Sequence, residues 1–85
     1  MRSFTFTPIA FDQLNEWEAD NPKMYRRIAK LLKEAARTPF EGTGKPEPLK
    51  ENLSGYWSRR ITDEHCLVYK VTDEAIVVIA CKNHY

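Results

Sequence analysis

Apolar and polar positions change period several times along the chain, and each change marks an element. Residues 2–6, RSFTF, alternate polar and apolar, which predicts a first strand. Thr7-Pro8 follows as a helix start. Thr7 offers a capping hydroxyl, and Pro8 brings a fixed φ where no N–H is needed. This helix is expected to run to about Ala19, with Ala10, Phe11, Leu14 and Trp17 as its apolar stripe. Asn21-Pro22 repeats the start signal. Met24, Ile28, Leu31, Leu32 and Ala35 then fall at i, i+4, i+7, i+8 and i+11, a full amphipathic face. Only Asp20 and Asn21 separate the two helices, so a helical hairpin is expected.

Residues 38–48, TPFEGTGKPEP, hold three prolines and two glycines and read as a loop. Strand-like segments follow near 49–53, 56–61, 65–71 and 75–83. The last contains AIVVIAC, apolar on both alternating faces, as in a central strand covered on both sides. The order β-αα-ββββ predicts an α+β fold: two N-terminal helices packed on one face of an antiparallel twisted sheet. With 85 residues, a single domain over 1–85 is expected. Such a domain buries roughly two-thirds of its unfolded surface, so its core is small.

Composition narrows the class. Hydrophobic content of 42% and aromatic content of 12% are enough for a core and argue against disorder. No apolar run approaches the roughly 20 residues of a membrane span. The start, MRSFTFTPIAFDQ, lacks a signal core, so a cytoplasmic location and no membrane partner are expected. Two cysteines far apart make no secreted disulfide framework. The net charge of +1 is uninformative, but its distribution is not. Residues 10–20 carry four acids and no base, whereas residues 23–37 carry six bases and one acid, Glu34. The pattern fits two solvated helix faces slightly better than a basic surface for a polyanion or an acidic partner.

Polar chemistry concentrates in the stretch LSGYWSRRITDEHCLVY, residues 53–69. A three-residue loop at 62–64 would pair Ile61 with His65 and Arg60 with Cys66. Directly opposed residues share a sheet face. Arg60, Ser58 and Tyr56 would then lie with Cys66, and Arg59 and Trp57 would point away. One arginine is left to cover the edge or meet a helix carboxylate, the other to face a groove. Outside the hairpin, Glu47 stands between Pro46 and Pro48 in a stiff extended segment leading to Lys50. His84 and Tyr85 end the chain, directly after an apolar strand.

A metal site from His65, Cys66, Cys81 and His84 is poorly supported, because the four come from alternating faces with no ligand-pair spacing. No cofactor is implied. A hydrolase triad lacks a nucleophile turn. What remains is an acid/base pair, Glu47 and His84, with the cations Lys50, Arg60 and Arg59. That set suits metal-independent RNA cleavage. A base takes the 2′-hydroxyl proton, the oxygen attacks phosphorus, cations hold the phosphate, and an acid protonates the departing 5′-oxygen. A small interaction domain whose basic helix binds an acidic partner is the competing reading.

The segment RTPFEGTGKPEPLKENLSGYWSRRITDEHCLVYKV, residues 37–71, resembles the signature of YoeB-type toxins of the RelE superfamily, and the ending ACKNHY is similar to that family's terminus. The resemblance implies a compact fold like that of microbial ribonucleases. It also implies ribosome-dependent cleavage of mRNA without a metal, inhibiting translation. A YefM-like antitoxin is the implied partner, and a homodimer stays open. By the same resemblance, Glu47 of KPEP is the general base, His84 the general acid, and Tyr85 a contributor. Lys50 and Arg60 match basic residues that hold the RNA backbone, and Arg59, from the cation set above, is a third candidate RNA contact. The family's phosphate-stabilising arginine belongs in E-H-R-L-V-Y, where this chain has EHCLVY and hence Cys66. A neutral thiol does not stabilise phosphorane charge, and such a loss costs on the order of 10²–10³ in rate. The chain is thus either a weakened or inactive nuclease, a non-catalytic module retaining the antitoxin and ribosome surfaces, or an enzyme in which Arg59 or Arg60 compensates.

For the implied site to form, the Cys66 position and His84 must share a face. A three-residue loop at Thr72 to Glu74 sets Cys66 opposite Ala80 and achieves this, with Cys81 toward the helices. A two-residue loop at Asp73-Glu74 would set Cys66 opposite Cys81, within disulfide reach, and turn His84 away. The first register is expected, with two free thiols, Cys66 exposed in the groove and Cys81 buried.

Overall fold

The computed structural model describes residues 2–83, so His84 and Tyr85 lie outside the described residues. Strand β1 spans Ser3–Phe6, helix α1 Pro8–Asp20 and helix α2 Pro22–Arg37. Strands β2 (Glu47–Pro48), β3 (Tyr56–Arg60), β4 (Cys66–Val71) and β5 (Ala75–Ala80) follow, with a 3₁₀ turn at Glu51–Leu53. The Thr7 hydroxyl caps α1 by accepting from Ala10 N at 3.2 Å, with Pro8 opening the helix. Asn21 works differently: its side chain caps nothing, but its N–H closes α1 on Trp17 O and its carbonyl accepts from Met24 N.

The five strands form one sheet in the order β1-β5-β4-β3-β2. Three of its ladders are antiparallel, but β1 pairs with β5 in parallel, Phe4 beside Ile76 and Phe6 beside Val78. The helical hairpin carries the chain across one face between β1 and the rest of the sheet. The fold is α+β as expected, with a mixed rather than wholly antiparallel sheet. One apolar cluster joins Ala10 and Trp17 of α1, Ile28, Leu31, Leu32 and Ala35 of α2, and Leu67, Tyr69, Ile76 and Val78 of the sheet. Phe11 is 53% exposed and does not belong to it, because Ala10, Leu14 and Trp17 already complete the i, i+4, i+7 line. β5 is flanked by strands on both sides, but the helices cover one face only, and Val77 and Ala80 on the other are half-buried.

The expected strand at 49–53 is displaced upstream. Pairing occurs at Glu47↔Ser58 and Pro48↔Trp57, and residues 51–53 turn instead, with Glu51 at φ +56°. β2 is an edge strand, where prolines lacking N–H groups are tolerated and block further pairing.

A buried cation organises the loop before β2. Arg59 is fully buried, and all five of its N–H groups are used. Nε donates to the Tyr69 hydroxyl at 3.0 Å, and Nη1 to Glu34 Oε1 at 3.2 Å and Thr43 O at 3.1 Å. Nη2 donates to Glu41 O at 2.9 Å and to Thr38 O. The Tyr69 hydroxyl in turn donates to Pro39 O at 2.7 Å. The loop can lie this close only because of two glycines. A Cβ on Gly42 would meet Glu34 Oε1 at 2.0 Å, and one on Gly44 would meet Arg60 O at 2.9 Å. Both sit at positive φ, +116° and +86°.

The β4–β5 register combines both sequence alternatives. Next to the turn, Val71↔Ile76 and Tyr69↔Val78 follow the two-residue-loop alignment. A bulge between Val68 and Tyr69 then admits one extra residue on β5, Ile79, and Val68 faces Ala80. The slip restores the parity of the other register. Cys66 shares a face with Ala80, while Cys81 points to α1, its Sγ 3.7 Å from Ala10 O. Neither cysteine forms a disulfide. Cys66 is not exposed, however: it retains 8% of its accessible surface, and Cys81 none.

R59K should lower stability by about 2–6 kcal/mol, because an ammonium has three donors and leaves at least two buried acceptors unpaired at ~1–3 kcal/mol each. The exposed neighbour change R60K should stay within about 0.5 kcal/mol. Urea unfolding distinguishes them, and equal losses would refute the buried network. Glu34 adds a pH signature. Its carboxyl is held below the usual 4.5, first by the Thr43 N–H and also by Arg59. The stability it contributes is therefore complete above the unfolded value and lost as pH falls through the lowered one; E34Q should flatten that acid limb.

Burial pushes Cys81 up to about 11 and raises Cys66 less. Thiol labelling of the native protein should modify Cys66 before Cys81, with both slower than in urea. Equal native rates, or a disulfide, would overturn the bulged register.

Candidate active site

β3 and β4 build the site by alternation. Pairing of Arg60 with Cys66, and of Ser58 with Val68 and Glu47, puts Glu47, Ser58, Arg60 and Cys66 on the sheet face away from the helices. Arg60 stands two residues from Ser58 on β3, so its Cα lies about 7 Å further along the strand from the Glu47 row. The register of Glu47 is held from both sides. Arg60 N donates to Gly44 O at 2.7 Å before β2, and Leu49 N donates to Tyr56 O at 2.9 Å after it.

Glu47 and Arg60 are exposed and flank the buried Cys66. The Cys66 thiol is pushed up, chiefly by burial, with Arg60 acting against that shift and Glu47 adding to it. The thiol is neutral at physiological pH. The chain also returns to this corner at its end, since Cys66 N donates to Asn83 O at 3.1 Å. The position preceding His84 thus lies beside Cys66, although His84 and Tyr85 themselves are outside the described residues.

Lys50 is exposed at the head of the 3₁₀ turn, one segment away along the β2 edge. Arg59 does not join the group. The expectation that it contacts RNA is corrected, because it points to the helices and every N–H is already engaged inside the protein. The sequence reading missed a second feature. Arg27 of α2, Lys45 and Arg60 line an open cleft of about 250 Å³ beside Asp63. Arg27 reaches it by donating Nε to Ile61 O. The signal was the position of Arg27 next to Ile28 on the buried stripe. Among the described residues, no group of three His, Cys, Asp or Glu side chains converges as a metal site requires, and no helix is long and apolar enough to cross a membrane.

The arrangement gathers a carboxylate, Glu47, and a cation, Arg60, at one corner of an open sheet face, beside a cleft lined by Arg27, Lys45 and Arg60. Comparison with known proteins identifies the family. Residues 6–85 match the family described as YoeB-like toxin of bacterial type II toxin-antitoxin system. Toxin YoeB of Escherichia coli (strain K12) is 53% identical over 76 residues, covering 89% of this chain and 90% of that protein. Among solved structures, the YoeB dimer from Staphylococcus aureus superposes with a TM-score of 0.93 at 47% identity, covering 99% of this chain and 98% of that one. The YoeB-YefM complex from the same organism gives 0.92 at 48% identity, covering 100% and 99%. On a family match spanning nearly all of its length and a relative more than half identical, the chain belongs to the YoeB-like toxins of bacterial type II toxin–antitoxin systems.

Proposed function

We propose that this toxin is an endoribonuclease that cleaves mRNA on the ribosome and so inhibits translation. The observation that carries the reading is the convergence of Glu47, Arg60, the Cys66 position and the backbone of Asn83 on one corner of the open sheet face. In this reading the Glu47 carboxylate takes the proton of a 2′-hydroxyl, which attacks the neighbouring phosphorus. The requirement for that hydroxyl restricts the substrate to RNA. Arg60 holds the non-bridging phosphate oxygens, and Lys50 the backbone next to them. His84 protonates the departing 5′-oxygen, and Tyr85 completes the site. No step calls for a metal.

Cys66 supports a second reading, a toxin fold that binds its partners without efficient turnover. The neutral thiol stands where the family motif carries a cation. Of the two arginines that were candidates to compensate, Arg59 is committed to the core, which leaves Arg60. A YefM-like antitoxin is the partner in either reading, with an acidic or amphipathic tail that folds on contact. Exposed Arg26, Lys30, Lys33 and Arg37 on α2 suit such a tail. Self-association, as in the solved dimer of the relative, belongs to the same reading.

The readings separate by measurement. C66R should raise cleavage of ribosome-bound message by about 10²–10³, the usual worth of one charge-stabilising donor. Equal rates for the two proteins would remove Cys66 as a defect. In the C66R background, E47Q and H84A should each lower the rate by about 10²–10⁴ with the fold intact; full activity in either would cancel that assignment. For the antitoxin, hydrogen exchange should show protection across α2 or the Lys50–Arg60 region. A footprint avoiding both would exclude this docking surface.

A further inference from the structure

The segment leaving β5 is tied down on both sides. From α1, Trp17 Nε1 donates to Cys81 O at 2.9 Å, and Gln13 Oε1 accepts from Cys81 N at 2.7 Å. Lys82 pairs with Glu16 at 2.9 Å. From the β4 side, Asn83 is held at both of its backbone groups. Its carbonyl accepts from Cys66 N at 3.1 Å, and its N–H donates to His65 Nδ1 at 2.8 Å. Asn83 adopts φ +64°, the left-handed region, so the chain bends sharply at this residue.

The His65 bond is chemically selective. An imidazole nitrogen accepts only when it carries no proton, so the neutral ring bears its hydrogen on Nε2. The ring plane is set by Trp17, whose ring meets it edge-on with centroids 4.8 Å apart at 84°. His65 sits opposite Ile61 and alternates away from Arg60 and Cys66, so it faces the helices rather than the open groove.

We propose that His65 is a positioning residue: its Nδ1 holds the left-handed bend at Asn83, the residue that precedes His84 in the chain. Its consequence for cleavage rests on the nuclease reading, which assigns the general acid to His84. A residue that only filled space against Trp17 would need the ring but not the acceptor.

Two substitutions oppose these roles. H65F keeps the ring against Trp17 and removes the acceptor. H65N keeps an acceptor oxygen near the Nδ1 position and removes most of the ring. In H65F, exchange of the Asn83 amide should accelerate about tenfold, the effect of losing one ordinary hydrogen bond, whereas H65N should stay near the parent. In the C66R background, H65F should lower saturating cleavage about tenfold with KM unchanged, as for a misplaced catalytic group, and H65N should be nearly as active as its parent. Nitrogen NMR of the unsubstituted protein should find His65 protonated at Nε2 with Nδ1 bare. An Nδ1-protonated ring, equal behaviour of the two variants, or a larger loss in H65N would overturn the proposal. Absence of cleavage in the parent as well would count against the nuclease reading, and the exchange and tautomer results would then decide the clamp alone.

Discussion

A guanidinium inside a small core is tolerated only if each of its N–H groups finds an acceptor, and this demand shapes the molecule around Arg59. The sheet supplies the Tyr69 hydroxyl and α2 supplies Glu34. The remaining acceptors are main-chain carbonyls at Thr38, Glu41 and Thr43. A loop rich in glycine and proline is therefore wrapped around one side chain. The same loop delivers Glu47 to the edge of the sheet. The carboxylate assigned as general base is thus placed by a residue on the opposite face that never approaches the substrate.

A similar division applies at the other end of the chain. A single extra residue in β5 changes which face every later side chain occupies. Without the bulge at Ile79, Cys81 would lie beside Cys66. With it, Cys81 enters the core against Ala10 and Asn83 O accepts from Cys66 N. The bulge sets the face, and the bonds from His65, Cys66, Gln13 and Trp17 set the path.

Local features were legible in the sequence because local physics decides them. Thr7-Pro8 and the stripe from Met24 to Ala35 specify helices through capping and period, and the hairpin at 61–65 specifies the Arg60–Cys66 pair. Features that depend on distant partners were not legible. The parallel alignment of β1 with β5 is decided some seventy residues away in sequence. Arg59 and Arg60 are the same letter twice, and only alternation, with the Glu34 carboxylate on the helix side, makes one a core residue and the other a surface cation. Pro48 looked like the end of a loop but is the end of an edge strand, because an edge makes no use of the N–H it lacks. The site was readable as a set of residues through resemblance. Its geometry depended on a bulge that no local signal announces.

Cys66 shows why fold and chemistry can separate in this protein. As a small, weakly polar side chain it is well suited to its surroundings, nine-tenths buried between β3 and the segment after β5. Burial keeps the thiol protonated, so it neither offsets the Glu47 charge nor assists a developing phosphorane. Nothing in the scaffold depends on a cation there: the network around Arg59, the bulge and the ties on residues 81–83 involve other side chains, and Cys66 bonds Asn83 through its backbone. In the proposed nuclease reading, what changes is the electrostatic balance at the corner, where Arg60 and Lys50 act beside Glu47 without a cation at position 66.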